Sequence, residues 1–326
     1  MSEEPSDFDH LTVDAALDEV EYALDRNCTN ICRPLNSYIN RVYEIITEDG
    51  DAVIAKFYRP GRWTREALQD EHDFLLELHD AEIPVIPPLR DEDGHTLHEL
   101  DNMFYAVFPK MGGRICDEPT TDQWLELGRL MGRTHVVGSQ KEAEHRITQA
   151  PEESTHDQLQ SILASGFLAR EHQDRYEDIT HSMLDLIEPL FDDHEFIRIH
   201  GDLHHQNLIY RPGESFFLID FDDMAMGVAV QDMWMLLPGR LEDARPEVEW
   251  FIEGYETFRT FDRSSLRLIE ALRAMRYIHF TAWCIHQAAD GGFSRLAPDW
   301  GTSGFWRQEI HELEKQQQEI WDTLEG

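Results

Sequence analysis

The stretch "FIRIHGDLHHQNLIYRPGESFFLIDFDD", residues 196–223, decides the fold. Its two short apolar runs, FIRI (196–199) and FFLI (216–219), are typical of buried strands. PGES (212–215) has the residues of a tight turn, so the sequence predicts a hairpin with this turn between the two runs. Polar residues gather at the ends of the runs, which is where a scaffold presents chemical groups.

Three of these polar residues have the spacing of a phosphoryl-transfer site. Asp202 and Asn207 follow the first run, and Asp220 follows the second. The hairpin is expected to fold Asp220 back beside Asn207, where one oxygen of each can bind Mg²⁺. Asp202 is then left to orient a hydroxyl group and accept its proton. The pattern therefore predicts transfer of a phosphoryl group to a hydroxyl.

A lysine in an apolar strand supplies the cation that such chemistry needs. Lys56 lies in "VIAKFYRP", where an unpaired ammonium group is costly. Glu71 on the following predicted helix is the expected partner, with Glu66 as second choice. Kinases use such a pair of strand lysine and helix glutamate to hold the α- and β-phosphates of the nucleotide.

Composition limits the class of partner and the compartment. The 326 residues carry a formal net charge of −37, which disfavours nucleic acid and anionic membranes as partners. Mean hydropathy is −0.51, no run reaches the ~18 apolar residues of a spanning helix, and the acidic N-terminus is unlike a secretory signal. We therefore expect a cytoplasmic protein. The acidic surface favours a salt-rich cytoplasm, with a merely acidic mesophilic protein as the alternative.

The order of the predicted elements indicates two lobes. A helix over 11–26, strands at 42–47 and 52–58, a helix after Thr64 and a strand at 102–110 occupy the first third. Helices then dominate, at 120–137, 155–191, 244–259, 264–289 and 304–324. The four cysteines are interpreted as ordinary thiols without a metal. The predicted domains are a nucleotide-binding lobe, 1–109, and a mostly helical catalytic lobe, 110–326.

Several segments together resemble the aminoglycoside phosphotransferase/choline kinase-like family. They run in order from about residue 34 to 284: "PLNSYINRVYEI", "AKFYRPGRWT", "DEHDFLLEL", "FYAVFPKMGGR", "HGDLHHQNLIYR", "AVQDMWMLLPG" and "EALRAMRYIHFTAW". The resemblance implies a bilobal protein-kinase-like α+β fold, with a small sheet-containing N-lobe and a larger helical C-lobe. The glycine-rich G-x-G-x-x-G loop of protein kinases is absent from "PLNSYINRVY".

The resemblance also implies a role for particular residues. Asp202 corresponds to the catalytic-loop aspartate, and Asn207 and Asp220 to the metal ligands, which makes Asp220 part of the catalytic set. The residues implied to bind or position the nucleotide are Ser37, Lys56, Glu71 and the interlobe hinge from Phe108 to Met111. Asp232 resembles the helix aspartate that braces the catalytic loop, and His200 is interpreted as a structural residue of that loop. Asp222 is either a further metal ligand or a surface carboxylate, and we favour the second. Arg59, Arg62 and Arg65 could help to hold phosphates or an acidic substrate, but we favour a solvated face for them.

The function implied is that of a kinase using ATP and Mg²⁺. The resemblance implies Ser or Thr of a protein as acceptor, in a stress response, and we expect a monomer. Nothing in the residues themselves separates a protein hydroxyl from a small alcohol. The alternatives are a small-molecule kinase of the homoserine, choline or aminoglycoside type, and a nucleotide-binding regulator without catalysis.

Overall fold

The fold was obtained as a computed structural model that describes residues 8–325 apart from 9, 38, 289–292 and 294–296. The chain divides into two compact units. Unit 1 takes the described residues up to Arg146 together with 204–224 and 249–259, and unit 2 takes 147–203, 225–248 and the described residues from Thr260 onward. The predicted lobe boundary at 109/110 stays a prediction.

Unit 1 is built on a five-stranded antiparallel sheet in the order β1-β2-β3-β5-β4. Its strands are β1 (Cys28–Leu35), β2 (Arg41–Thr47), β3 (Ala52–Phe57), β4 (His98–Leu100) and β5 (Met103–Pro109). The strand β3 lies in the middle, so Lys56 pairs with Val42 on one side and Ala106 on the other. Alternate β3 residues Val53, Ala55 and Phe57 are buried, which leaves Lys56 on the opposite face.

Two capped helices belong to the same unit as this sheet. Helix α1 (Val13–Leu24) begins after Thr12, and α2 (Arg65–Asp80) after Thr64; each threonine hydroxyl accepts a hydrogen bond from a backbone N–H of the first turn. The predicted apolar face of α2 is buried, and Glu71 lies on that face at 1% exposure. A glutamate in this position must find a polar partner inside the unit.

Close helix packing completes unit 1. Helix α3 (Thr121–Gly138) meets the part of α7 (Arg245–Tyr255) that follows Glu249. A Cβ atom on Gly128 would lie 2.0 Å from the Phe251 carbonyl oxygen, and one on Gly254 would lie 2.2 Å from that of Leu125. Only glycine allows the two backbones to approach this closely.

Unit 2 is mainly helical. Its elements are α4 (His156–Ala164), α5 (Arg170–Ile187), β6 (Phe196–Ile199), β9 (Ala225–Val228), α6 (Gln231–Trp234), α8 (Ile269–Ala288) and α9 (Ser303–Glu325). The two strands pair antiparallel, Ile199 opposite Ala225. Trp306 of α9 is fully buried and packs edge to face on Tyr176 of α5. Among the described residues, no helix is long and apolar enough to cross a membrane.

The α+β class is confirmed, and two local predictions are wrong. FIRI does not pair with FFLI: β6 pairs with β9, while the turn after Tyr210 joins β7 (Leu208–Tyr210) to β8 (Phe216–Leu218). The single helix predicted over 155–191 is divided into α4 and α5, because Gly166 has a φ of +75° and ends the first helical run.

Candidate active site

A short hairpin of unit 1 brings together the two predicted metal ligands. Strands β7 and β8 are antiparallel with Leu208 opposite Leu218, and the Ile219 N–H donates to the Asn207 carbonyl at 3.1 Å. Asn207 directly precedes β7, and Asp220 follows Ile219. The two therefore lie at the same end of the hairpin, as the sequence predicted, although the strand that places Asn207 there is β7. Their roles as ligands stay a prediction.

The chain turns sharply at Asp220. This residue has φ 61° and ψ 67°, in the left-handed region that aspartate tolerates better than most residues. A 3-10 turn, Phe221–Asp223, follows at once and buries Phe221 and Asp222. A left-handed non-glycine residue stores strain, and such residues cluster at functional sites.

Lys56 binds one carboxylate that precedes this turn and one within it. Its Nζ lies 3.0 Å from Asp220 Oδ1 and also donates to Asp222 Oδ1. Burial alone would lower the pKa of Lys56, but the two carboxylates raise it well above its usual value, so the ammonium group is charged. Glu71 is not its ion-pair partner, contrary to the prediction, and Glu66 is exposed.

Asp222 is a buried anchor, so its interpretation as a surface carboxylate is wrong. Its side chain is 7% exposed and also accepts from Arg62 Nη1 at 3.3 Å and from Asn40 Nδ2. Burial would raise the pKa of Asp222, but Lys56 and Arg62 lower it to about 2. Arg62 likewise does not lie on a solvated face: its side chain is 20% exposed, and its Nη2 binds Asp223 at 2.6 Å.

Arg146 also holds this turn in place, and the sequence did not identify it as a site residue. Its fully buried side chain donates from Nε to the Met224 carbonyl at 2.8 Å, and from Nη2 to the carbonyls of Asp222 at 2.7 Å and Phe221 at 3.1 Å. The same Nη2 lies 3.5 Å from Glu71 Oε2. Burial raises the pKa of Glu71 to about 7, with Asp222 adding to the effect. No local pattern marks "EHRITQA" as important.

The remaining nucleotide-binding candidates are placed around the sheet. The Ser37 hydroxyl accepts a hydrogen bond from the Asn40 N–H at 3.3 Å, which connects it to the residue that binds Asp222. Phe108 lies near the end of β5 and its ring meets that of His72 edge to face. Met111 lies in the irregular segment that follows β5. Their contact with a nucleotide stays a prediction.

Unit 2 holds the predicted base. Asp232 accepts hydrogen bonds from the backbone N–H groups of His200 at 2.7 Å and Gly201 at 2.9 Å, which confirms that it braces the loop. His200 is buried, and its Nδ1 accepts from the Asp202 N–H at 3.4 Å, so its structural role is also confirmed. Asp202 itself is bound by Arg276 of α8, whose Nη1 lies 2.7 Å from Asp202 Oδ1. Arg276 is a second residue that the sequence did not reveal.

The donor set fits a hard cation with few protein ligands. Among the described residues there is no group of three or more His, Cys, Asp or Glu that would enclose a metal ion. Asn207 offers an amide oxygen, and Asp220 a carboxylate whose side chain is 53% exposed. Oxygen donors in this small number suit Mg²⁺, which keeps waters and takes phosphate oxygens as its other ligands.

Kinase-like phosphotransferases have a lysine on the third strand of the sheet and an aspartate in a later loop, and Lys56 and Asp220 occupy such positions in this chain, 3.0 Å apart. Comparison of the sequence with known protein families agrees with this assignment. The model of the phosphotransferase enzyme family (APH) matches residues 31–269. The chain belongs to this family.

Relatives and solved structures extend this result. Stress response kinase A of Escherichia coli (strain K12) is 36% identical over 279 residues, which cover 84% of this chain and 83% of that protein. The serine/threonine protein kinase RdoA of Salmonella typhimurium is 35% identical, covering 85% and 84%. Amicoumacin kinase hAmiN, in complex with AMP-PNP, Ca²⁺ and Ami, matches with a TM-score of 0.73 at 19% identity, covering 95% and 93%. A microcompartment-associated aminopropanol kinase matches with 0.70 at 19%, covering 96% and 98%. These structures confirm the kinase-like fold.

Proposed function

We propose that this protein is a kinase that transfers the γ-phosphoryl group of ATP, with Mg²⁺, to a Ser or Thr hydroxyl of a protein in a stress response. One observation carries the proposal: Lys56 Nζ lies 3.0 Å from Asp220 Oδ1, at the end of the hairpin that also presents Asn207. A fixed cation beside a carboxylate and an amide oxygen is the donor set that ATP with a divalent cation requires.

The candidate site residues of unit 1 have separate tasks in this proposal. Lys56 binds phosphate oxygens as a permanent cation, and Asp222 holds the ammonium group in place. Asn207 and Asp220 would hold Mg²⁺, which neutralises phosphate charge when bound. Arg146 and Asn40 keep the turn around Asp222 in the conformation that aims these groups.

Asp202 acts on the acceptor. Its carboxylate orients the hydroxyl group and takes its proton while the acceptor oxygen forms a bond to the γ-phosphorus. The bond from that phosphorus to the β–γ bridging oxygen breaks in line, and ADP is the leaving group. The bracing of the loop by Asp232 limits the movement of the backbone that carries Asp202.

The choice of a protein acceptor rests on the curated relatives. Both are named as kinases, and one is named as a serine/threonine protein kinase. A second candidate, a small-molecule kinase, is favoured by the names of the matching solved structures, an amicoumacin kinase and an aminopropanol kinase. We further propose that the protein acts as a cytoplasmic monomer.

The test is transfer from γ-labelled ATP with Mg²⁺. Wild type is compared with Asp202→Asn and with the control Asp193→Asn, which changes an exposed aspartate of the same unit. Acceptors are a Ser/Thr-rich protein, no acceptor, and a panel of amino alcohols and aminoglycosides. Label on protein Ser or Thr, lost only in Asp202→Asn, supports the proposal, and the arm without acceptor detects self-phosphorylation.

Other outcomes refute particular parts. Label on a small alcohol alone assigns the protein to the second candidate. ATP binding without transfer to any acceptor, unchanged by Asp202→Asn, assigns it to the non-catalytic regulators. Nucleotide binding retained in Asp202→Asn, with transfer lost, excludes those regulators.

A further inference from the structure

Helix α8 places a positively charged side chain in contact with the predicted base. Arg276 Nη1 lies 2.7 Å from Asp202 Oδ1, and the exposed fractions of the two side chains are 42% and 24%. Both groups therefore reach the solvent from which an acceptor arrives. A hydroxyl that binds Asp202 must approach within a few ångströms of this guanidinium group.

The rest of α8 adds no negative charge to balance Arg276. The chain has 65 Asp and Glu residues, yet residues 271–288 of this helix contain none. Glu270, at the start of the helix, is already bound by Arg240 Nη1 at 2.5 Å and by Arg273 Nε at 3.3 Å. Within α8, the positive charge of Arg276 is therefore not offset by a carboxylate of residues 271–288.

An exposed aromatic side chain extends the same surface. Phe280 lies four residues after Arg276, so the two share a face of the helix. Its side chain is 55% exposed, and its ring stacks on that of Trp283 at 5.7 Å. Such a surface gives a polypeptide apolar contact area beside the charge.

This surface opposes a cationic acceptor. In a β-amino alcohol the ammonium group is two carbon atoms from the hydroxyl. When that hydroxyl binds Asp202, the ammonium group would lie near the positive charge of Arg276, although it requires a carboxylate as its partner. A polypeptide has no such charge beside its Ser or Thr hydroxyl, and acidic side chains one to three residues away can reach the guanidinium group, since an extended chain rises about 3.3 Å per residue.

We infer that Arg276 is an acceptor-specificity residue, which makes this protein phosphorylate Ser or Thr within acidic polypeptide segments and reject amino alcohols. The inference rests on the proposed function, because it needs Asp202 to receive the acceptor. The inference adds to the proposed function the charge of the acceptor segment and the residue that selects this segment.

The experiment compares kcat/KM for two matched peptide libraries and two small alcohols. In one library Asp and Glu flank a fixed Ser, in the other Lys and Arg flank it; the alcohols are 1-amino-2-propanol and choline. The enzymes are wild type, Arg276→Gln, Arg276→Lys and the control Arg267→Gln, an exposed arginine of the turn preceding α8. Asp202→Asn serves as the blank.

Wild type is expected to prefer the acidic library, and Arg276→Gln to reduce this preference about fivefold, as expected for one half-exposed charge. Arg276→Lys should retain the preference and Arg267→Gln should leave it unchanged. Equal use of both libraries, better use of the alcohols, or an unchanged preference in Arg276→Gln would overturn the inference while leaving kinase activity established. Absence of Asp202-dependent transfer to every acceptor would refute the proposed function itself, and the inference with it.

Discussion

Replacing Arg146 by Met should lower the free energy of unfolding by about 3–5 kcal/mol, the range for removing one partner of a buried ion pair. Methionine keeps the apolar volume of the side chain but cannot donate a hydrogen bond. The carbonyls of Phe221, Asp222 and Met224 would each lose a donor at 2.7–3.1 Å, inside a fully buried environment. Each loss costs about 1–3 kcal/mol if no water replaces the donor, so the three losses sum to about 3–9 kcal/mol, and the lower part of that span overlaps the ion-pair range.

Part of this loss comes from Glu71, and a second substitution measures that part. At pH 8, above the pKa of about 7, the Glu71 carboxylate is charged and loses the guanidinium group 3.5 Å away. Glu71→Gln in the Arg146→Met background removes that uncompensated charge. The double variant should therefore be more stable than the sum of the two single effects predicts.

The assay is guanidinium denaturation followed by far-UV circular dichroism and by tryptophan fluorescence. The matched control is Arg133→Met, because Arg133 also donates to two backbone carbonyls, those of Ala81 and Glu82 at 3.0 and 2.8 Å, but does so at the surface. The control should lose about 1 kcal/mol or less. A loss below about 1 kcal/mol for Arg146→Met, or equal losses in the two variants, would refute the reasoning that Arg146 anchors the turn.

Three further outcomes are expected. Because Glu71 titrates near pH 7 in the folded protein and at its ordinary 4.5 when unfolded, the folded state holds more protons in this window. The free energy of unfolding should then fall by up to about 3 kcal/mol from pH 4.5 to 7, and Glu71→Gln should flatten that slope; an identical slope in the variant would contradict the assignment. Gly128→Ala should destabilise by about 1–3 kcal/mol, because its Cβ would meet the Phe251 carbonyl, whereas Gly112→Ala meets nothing within 4 Å and serves as control in the same unfolding assay. Phosphoryl transfer and circular dichroism should persist in molar KCl, since salt screens the repulsion within a chain of charge −37; a steep loss of structure there would refute the salt-rich interpretation.

The sequence is most informative where structure depends on neighbours in the chain. Thr64 was recognisable as a helix cap, since a cap needs only a hydroxyl and the N–H groups of the next turn. The predicted proximity of Asn207 and Asp220 also held, because a hairpin joins them over a short loop. The predicted pairing of FIRI with FFLI was wrong. A run of four apolar residues fits more than one partner strand, and only the assembled sheet selects β9.

The surroundings of the charged groups were decided by the tertiary structure. Lys56 and Asp222 are 166 positions apart, Arg146 and Asp222 are 76 apart, and Arg276 and Asp202 are 74 apart. The sequence by itself determined which residues have the chemistry for phosphoryl transfer and the order in which they occur. Whether a carboxylate is solvated or buried against a guanidinium group depends on which distant segments fold against it, because burial and Coulomb attraction follow distance in space and not along the chain.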